Sequence, residues 1–144
     1  MASPYTFTDP RLAKLDGFQV EIDEAHERAD IILNRPPFNI IEMPQRDQLR
    51  LVFEAIDEDP RVRVIVLRAV GDHFSSGGNI KGFLEASPEH VSKLAWNIAA
   101  PARCAKPVIV ANRGYCFGVG RMLIAELPAL FQSRPKRRMS AVGP

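Results

Sequence analysis

Two glycine-bearing stretches, HFSSGGNIKGF (His73–Phe83) and RGYCFGVG (Arg113–Gly120), hold the chemistry this chain can do, and it is chemistry of the main chain. Ser75, Ser76, Gly77, Gly78 and Asn79 are too small or too polar to fill a core. They let backbone come close to a ligand with N–H donors exposed. Each stretch follows a strongly apolar run, VRVIVLRA (Val62–Ala69) or KPVIVAN (Lys106–Asn112). Two such loops on neighbouring strands can aim two N–H groups at one oxygen, the geometry of an oxyanion hole. Each loop alone also reads as a tight strand-to-helix turn, and spacing names no substrate. Side chains offer less. Cys104 and Cys116 fit reduced thiols better than a disulfide framework, and His26, His73 and His90 give neither a recognisable partner for cysteine catalysis nor a metal site.

The elements that must position these loops follow from pattern. FQVEID (Phe18–Asp23) alternates as a half-buried strand does, and ADIILN (Ala29–Asn34) is the next strand, with a short hairpin connection near His26–Arg28. NRPPFN breaks both ladder and helix. Pro44 suits the first turn of a helix running to about Glu58, whose Leu49, Val52, Phe53 and Ile56 form one apolar stripe. VRVIVLRA and KPVIVAN are buried strands. Between them the sequence predicts a short turn through Lys81–Ala86. A second helix follows, capped by Ser87, with Pro88 first and Val91, Leu94, Ala95 and Ile98 turned inward. The order is that of an α/β fold with crossover connections.

Bulk properties bound the classes. With 144 residues, 46% hydrophobic, 25% charged and net charge +2, the chain is one ordinary domain's worth of sequence. No apolar run approaches bilayer length and the N-terminus lacks a signal-peptide core, so a cytoplasmic protein without membrane contact is expected. Arg121, Arg134, Lys136, Arg137 and Arg138 make a basic tail on a slightly acidic body. It reads as a solvated terminus, with a nucleic-acid or anionic-lipid contact as the alternative; RPKRR lacks the aromatic interleaving of an RNA-binding segment, and no nucleic acid is expected.

The segments NRPPFN, HFSSGGNIKGF and KPVIVANRGYCFGVG, in this order and spacing, resemble the enoyl-CoA hydratase/isomerase (crotonase) family from about Phe18 to Gly120. FSSGGNIK is similar to that family's F-S-x-G-x-D-I-K stretch. The resemblance implies a crotonase-like (ClpP/crotonase) spiral of β-β-α units, incomplete at the C-terminus, and an acyl-CoA thioester as partner. Coenzyme A would come as part of the substrate, with no separate cofactor. It also implies backbone N–H groups of Gly78 and Val119 on the thioester oxygen, where they would stabilise an enolate. Val at 119 is tolerable provided its φ is negative. Backbone around Ser76, Gly78 and Ile80 would lie along pantetheine and adenine. Lys81, and Arg35 with the Pro36–Phe38 turn, would lie near phosphates or ribose, or are plain surface charge. Asn79 stands where the family has Asp, which puts any use of that carboxylate in doubt. His73 reads as an exposed strand-end residue rather than a base. The family's oligomers (trimer or hexamer) imply a homo-oligomer.

After Gly120 the resemblance stops. The position of the family's first catalytic glutamate holds Met122, which has no titratable proton. Glu126 lies a helical turn further, about 6 Å by helical rise against a hydrogen-bond reach of about 3 Å. FQSRPKRRMSAVGP offers no acid where the second glutamate belongs. Residues 1–120 are thus expected to form the family core and 121–144 a divergent helix and tail, truncated or frame-shifted, or else the end of a short paralogue. MLIAELPALF (Met122–Phe131) could supply a packing helix that Pro128 ends or kinks. Whether the chain is an enzyme stays open at this point. The resemblance implies a hydratase or isomerase impaired as written, or alternatively a non-catalytic acyl-CoA or protein-binding module. Uncovered strands predict weak stability or self-association.

Overall fold

The computed structural model describes residues 1–124 and the backbone of Ala129–Gln132. Six strands, β1 (Ser3–Pro4), β2 (Phe18–Asp23), β3 (Arg28–Leu33), β4 (Val64–Ala69), β5 (Val108–Asn112) and β6 (Ala129–Gln132), form one sheet in chain order. The first three pair antiparallel; β3 through β6 pair parallel. The register puts Val20, Ile31, Leu67 and Val110 in one row and Ile22, Ala29, Ile65 and Val108 in the next, all buried. Helix α1 (Met43–Glu58) crosses from β3 to β4, and its Leu49, Val52, Phe53 and Ile56 share the same core. Burying each such side chain is worth about 1.5–3 kcal/mol, which holds the crossover against the sheet.

The hairpin turn occupies Glu24–Glu27, earlier than expected, with Glu27 at φ 53° and Arg28 already opening β3. The expected turn at Lys81–Ala86 is a short helix, α2 (Ile80–Glu85). Asn79 caps it, its side-chain oxygen accepting from the Lys81 and Gly82 amides at 3.0 and 3.4 Å. That cap is what carries a stretch with a glycine inside it into a helix.

The single helix expected after Ser87 is three pieces: α3 (Pro88–Ser92), α4 (Leu94–Ile98) and α5 (Ala100–Arg103). Ser87 does cap the first, accepting from the His90 amide. The backbone of Lys93 and Ala99 stays right-handed but opens to ψ near zero, and Pro101 lacks the N–H to continue the ladder. An uninterrupted period therefore mis-assigns the face. Val91 and Ala95 are exposed, Leu94 is half-buried, and Ile98 and Ala100 turn inward with Asn97. Asn97 bridges Asp47 and Arg50 of α1 at 2.6 and 2.7 Å.

Helix α6 (Val119–Ile124) begins in the second glycine loop as expected, but Ala129–Gln132 is strand β6 rather than more helix. Pairing with β5 decides it: an apolar run next to an open parallel edge gains a full ladder there. Pro128 lies outside the described residues, as do Glu126 and the basic cluster 134–138.

Candidate active site

Both glycine loops leave the C-terminal ends of adjacent parallel strands, β4 and β5, where ligands bind open α/β sheets. They are sewn together by main-chain bonds. The Phe74 amide donates to the Arg113 carbonyl at 2.8 Å, Ser75 to Tyr115 at 2.9 Å, and Phe117 back to Ser75 at 3.0 Å. The NRPPFN loop joins from the third side: the Ser76 amide donates to Phe38 at 2.8 Å and Ile41 to Gly77 at 3.0 Å. Buried Asn39 fastens this corner. Its side-chain amide donates to the Val70 and His73 carbonyls, its carbonyl group accepts from the Arg35 amide, and its main-chain oxygen accepts from the Ser75 hydroxyl.

The packing is close enough to select glycine. Gly77 sits at φ 109° with the Phe117 carbonyl oxygen 3.1 Å from where a Cβ would lie. A Cβ at Gly120 would come within 2.7 Å of the Ser75 Cβ, so α6 presses directly on the first loop. A Cβ at Gly78 would collide with Arg46 Nη2 and stand 3.3 Å from Val119 Cγ2.

Gly78 and Val119 therefore meet, and they wall one cavity of about 410 Å³ with Arg46, Ser76, Ile80 and Met122. Val119 opens α6 with the helical backbone that a non-glycine residue needs there. Among the described residues, neither the Gly78 nor the Val119 amide donates to a protein acceptor. Met122, at the position expected of a glutamate, borders the cavity and is half-exposed.

The other sequence-predicted residues divide. Ile80, on the cavity rim, is 78% exposed, and Lys81 is exposed on α2. Asn79 has a structural task as cap of α2, and its side-chain amide also donates to Glu42 Oε1 at 3.2 Å. Phe38 is exposed and stacks on His73, which stacks in turn on Tyr115 with ring centres 4.1 Å apart. His73 Nδ1 accepts from the Tyr115 amide, so this half-buried ring is held as part of the loop junction. Arg35 is turned away from the cavity. Its guanidinium donates to the Ile40 carbonyl at 2.7 Å and Gln45 at 2.9 Å and pairs with Asp16 at 2.6 Å. That engagement favours the structural reading over a phosphate contact.

Arg46 is the cavity residue that pattern reading passes over. It stands on the buried face of α1, one turn before Leu49, and is only 4% exposed. A cation continuing an apolar stripe is the signal that was there to find. Its Nε and Nη1 have no hydrogen-bond partner, and burial pulls the guanidinium below its ordinary pKa despite the attraction of Glu42.

Comparison with known proteins gives these loops a family. The enoyl-CoA hydratase/isomerase family model matches residues 25–126, and the chain belongs to that family. It is 30% identical to a hydroxycinnamoyl-CoA hydratase-lyase of Pseudomonas fluorescens, over 71% of this chain and 40% of that protein. It is 31% identical to the peroxisomal Delta(3,5)-Delta(2,4)-dienoyl-CoA isomerase of Arabidopsis thaliana, over 65% of this chain and again 40% of the other. The chain thus spans about two fifths of the length of these relatives. Among solved structures, an enoyl-CoA hydratase/carnithine racemase from Magnetospirillum magneticum superposes with a TM-score of 0.71 at 28% identity, covering 83% of this chain and 47% of that one. An enoyl-CoA hydratase from Mycobacterium smegmatis, 23% identical, has the same fold, with a TM-score of 0.72 over 83% of this chain and 48% of its own. The crotonase-like α/β fold expected from the sequence is the fold observed.

Proposed function

We propose that the chain binds an acyl-CoA thioester with the thioester oxygen between the Gly78 and Val119 amides. The observation that carries this is the junction itself: two glycine loops, bonded edge to edge, bring Gly78 and Val119 to the wall of one largely apolar cavity, and neither amide donates to a protein acceptor among the described residues. Membership of the family and relatives named for CoA-ester hydration and isomerisation support it. When an acyl-CoA loses its α-proton or accepts a nucleophile at its β-carbon, negative charge builds on the thioester oxygen as an enolate. Donors fixed at that oxygen stabilise that charge more than the neutral carbonyl, which is what accelerates a reaction. Phe38, Ser76, Ile80 and Lys81 border the approach that the CoA moiety takes in this reading.

Proton transfer is the missing part. Met122 faces the cavity where a carboxylate would have to act, so the described residues bind and polarise without supplying the acid or base. The same observation favours a second reading, a module that holds acyl-CoA without turning it over.

The Val119→Pro variant separates hole from bystander. Proline suits the first position of a helix and removes the N–H. Acetoacetyl-CoA, whose enolate absorbs in the near ultraviolet, should show its enolate band on the wild-type chain and lose about 10²-fold in enolate stabilisation on the variant. An unchanged band would remove Val119 from the site. Hydration of a short enoyl-CoA by the wild-type chain should be negligible, and turnover at the rate of a complete hydratase would overturn the role given to Met122.

A further inference from the structure

We propose that the acyl group taken by this cavity carries a carboxylate of its own, and that Arg46 is the specificity-determining residue that pairs with it; this rests on the thioester reading above. Arg46 is a guanidinium with no hydrogen-bonded anion among the described residues. It is 4% exposed, and its one recorded contact is Nη2 on the Ile41 carbonyl at a long 3.4 Å, while Nε and Nη1 have no partner. Glu42 attracts it without forming a hydrogen bond to it, and the Glu42 carboxylate is engaged by the Asn79 side chain. A buried cation left unpaired is strongly unfavourable, and buried polar groups in folded proteins are satisfied with few exceptions.

The other cavity walls cannot supply the missing charge. Ile80, Phe83, Leu94, Val119 and Met122 contribute apolar side chains, and Ser76 and Asn79 neutral polar ones. None of the described lining residues is anionic, and the anion is assigned to the ligand. Its place is defined by Gly78: because that residue has no Cβ, Arg46 Nη2 lies directly against its Cα, beside the amide assigned to the thioester oxygen. An acyl chain anchored on Gly78 and Val119 thus runs past the guanidinium. A single arginine in a wall without other charge matches one carboxylate, which accepts from Nη2 beside Gly78, since Nε and Nη1 are closed off by protein.

The test compares glutaryl-CoA with pentanoyl-CoA, equal in chain length and differing in the terminal carboxylate, by titration calorimetry on the 144-residue chain and on Arg46→Met. The wild-type chain should bind glutaryl-CoA at least tenfold more tightly. R46M should lose the preference and bind both alike. Equal affinities on the wild-type chain would overturn the proposal while leaving the thioester site standing, since pentanoyl-CoA still binds. A glutaryl preference that survives in R46M would assign the carboxylate to another residue and overturn it too. Failure of the wild-type chain to bind either thioester would overturn both readings. If R46M does not fold, the wild-type comparison decides alone, and Arg46→Lys, whose shorter side chain keeps the charge but not the position of Nη2, should show a reduced preference.

Discussion

Gly78 and Arg46 constrain one another more tightly than either residue type suggests. The glycine is needed where the guanidinium approaches its Cα, and the guanidinium keeps a charge inside a cavity that is otherwise apolar. The two thiols lie at the other extreme of reactivity. Burial, helped by the charge of Asp57, pushes the Cys104 thiol up to about 12, and burial also raises Cys116. The thiolate is the nucleophile, so at pH 8 both cysteines should react with an aromatic disulfide reagent far more slowly than free thiol. Denaturant should release both at once. Fast labelling of either in the native chain would show that its surroundings are open to solvent.

At the scale of elements, the N-terminal segment is tied to the end of α1 by charge. The Tyr5 hydroxyl donates to Asp59 Oδ2 at 2.5 Å, and Arg61 pairs with the same carboxylate at 2.8 Å. Arg61, followed by Tyr5, holds the Asp59 carboxyl well below the usual carboxylate range. A depressed carboxylate stabilises the fold above its unfolded pKa of about 3.9 and loses that contribution as pH falls towards its folded value. The melting temperature should therefore drop on acidification below about pH 4, and Asp59→Asn, less stable at pH 7, should drop less steeply. Parallel acid limbs for the two proteins would assign the acid sensitivity to other carboxylates.

For the molecule as a whole, the described surface carries several large apolar side chains. Ile80, Leu84, Trp96, Phe117 and Met122 are each more than half exposed, and Ile80, Phe83 and Met122 border the same cavity. Contiguous apolar surface drives association. The chain should sediment as more than a monomer at micromolar concentration, and should bind a hydrophobic dye in its native state. A clean monomer that melts sharply and reversibly would contradict this.

Much of this architecture is legible in the chain itself, for local reasons. Alternation marks β2, the Leu49–Ile56 stripe marks α1, and Pro44 and Ser87 mark helix starts, because each is dictated by neighbours within a few residues. The glycine loops are legible because only small residues fit where backbones touch. What failed was long-range. The faces of α3 to α5 depend on two backbone breaks, β6 depends on the open edge of β5, and Arg35 found partners in Asp16 and Gln45.

Arg46 belongs to the same class: periodicity places it on the buried face of α1, but only the folded arrangement leaves it beside Gly78 without a counter-ion. Sequence thus determined which residues are small, apolar or charged, and so which segments become strands, helices and loops. The tertiary structure alone decided which of them face one another, since hydrogen bonds and charge pairs across the sheet answer to distances in space that spacing along a chain does not encode.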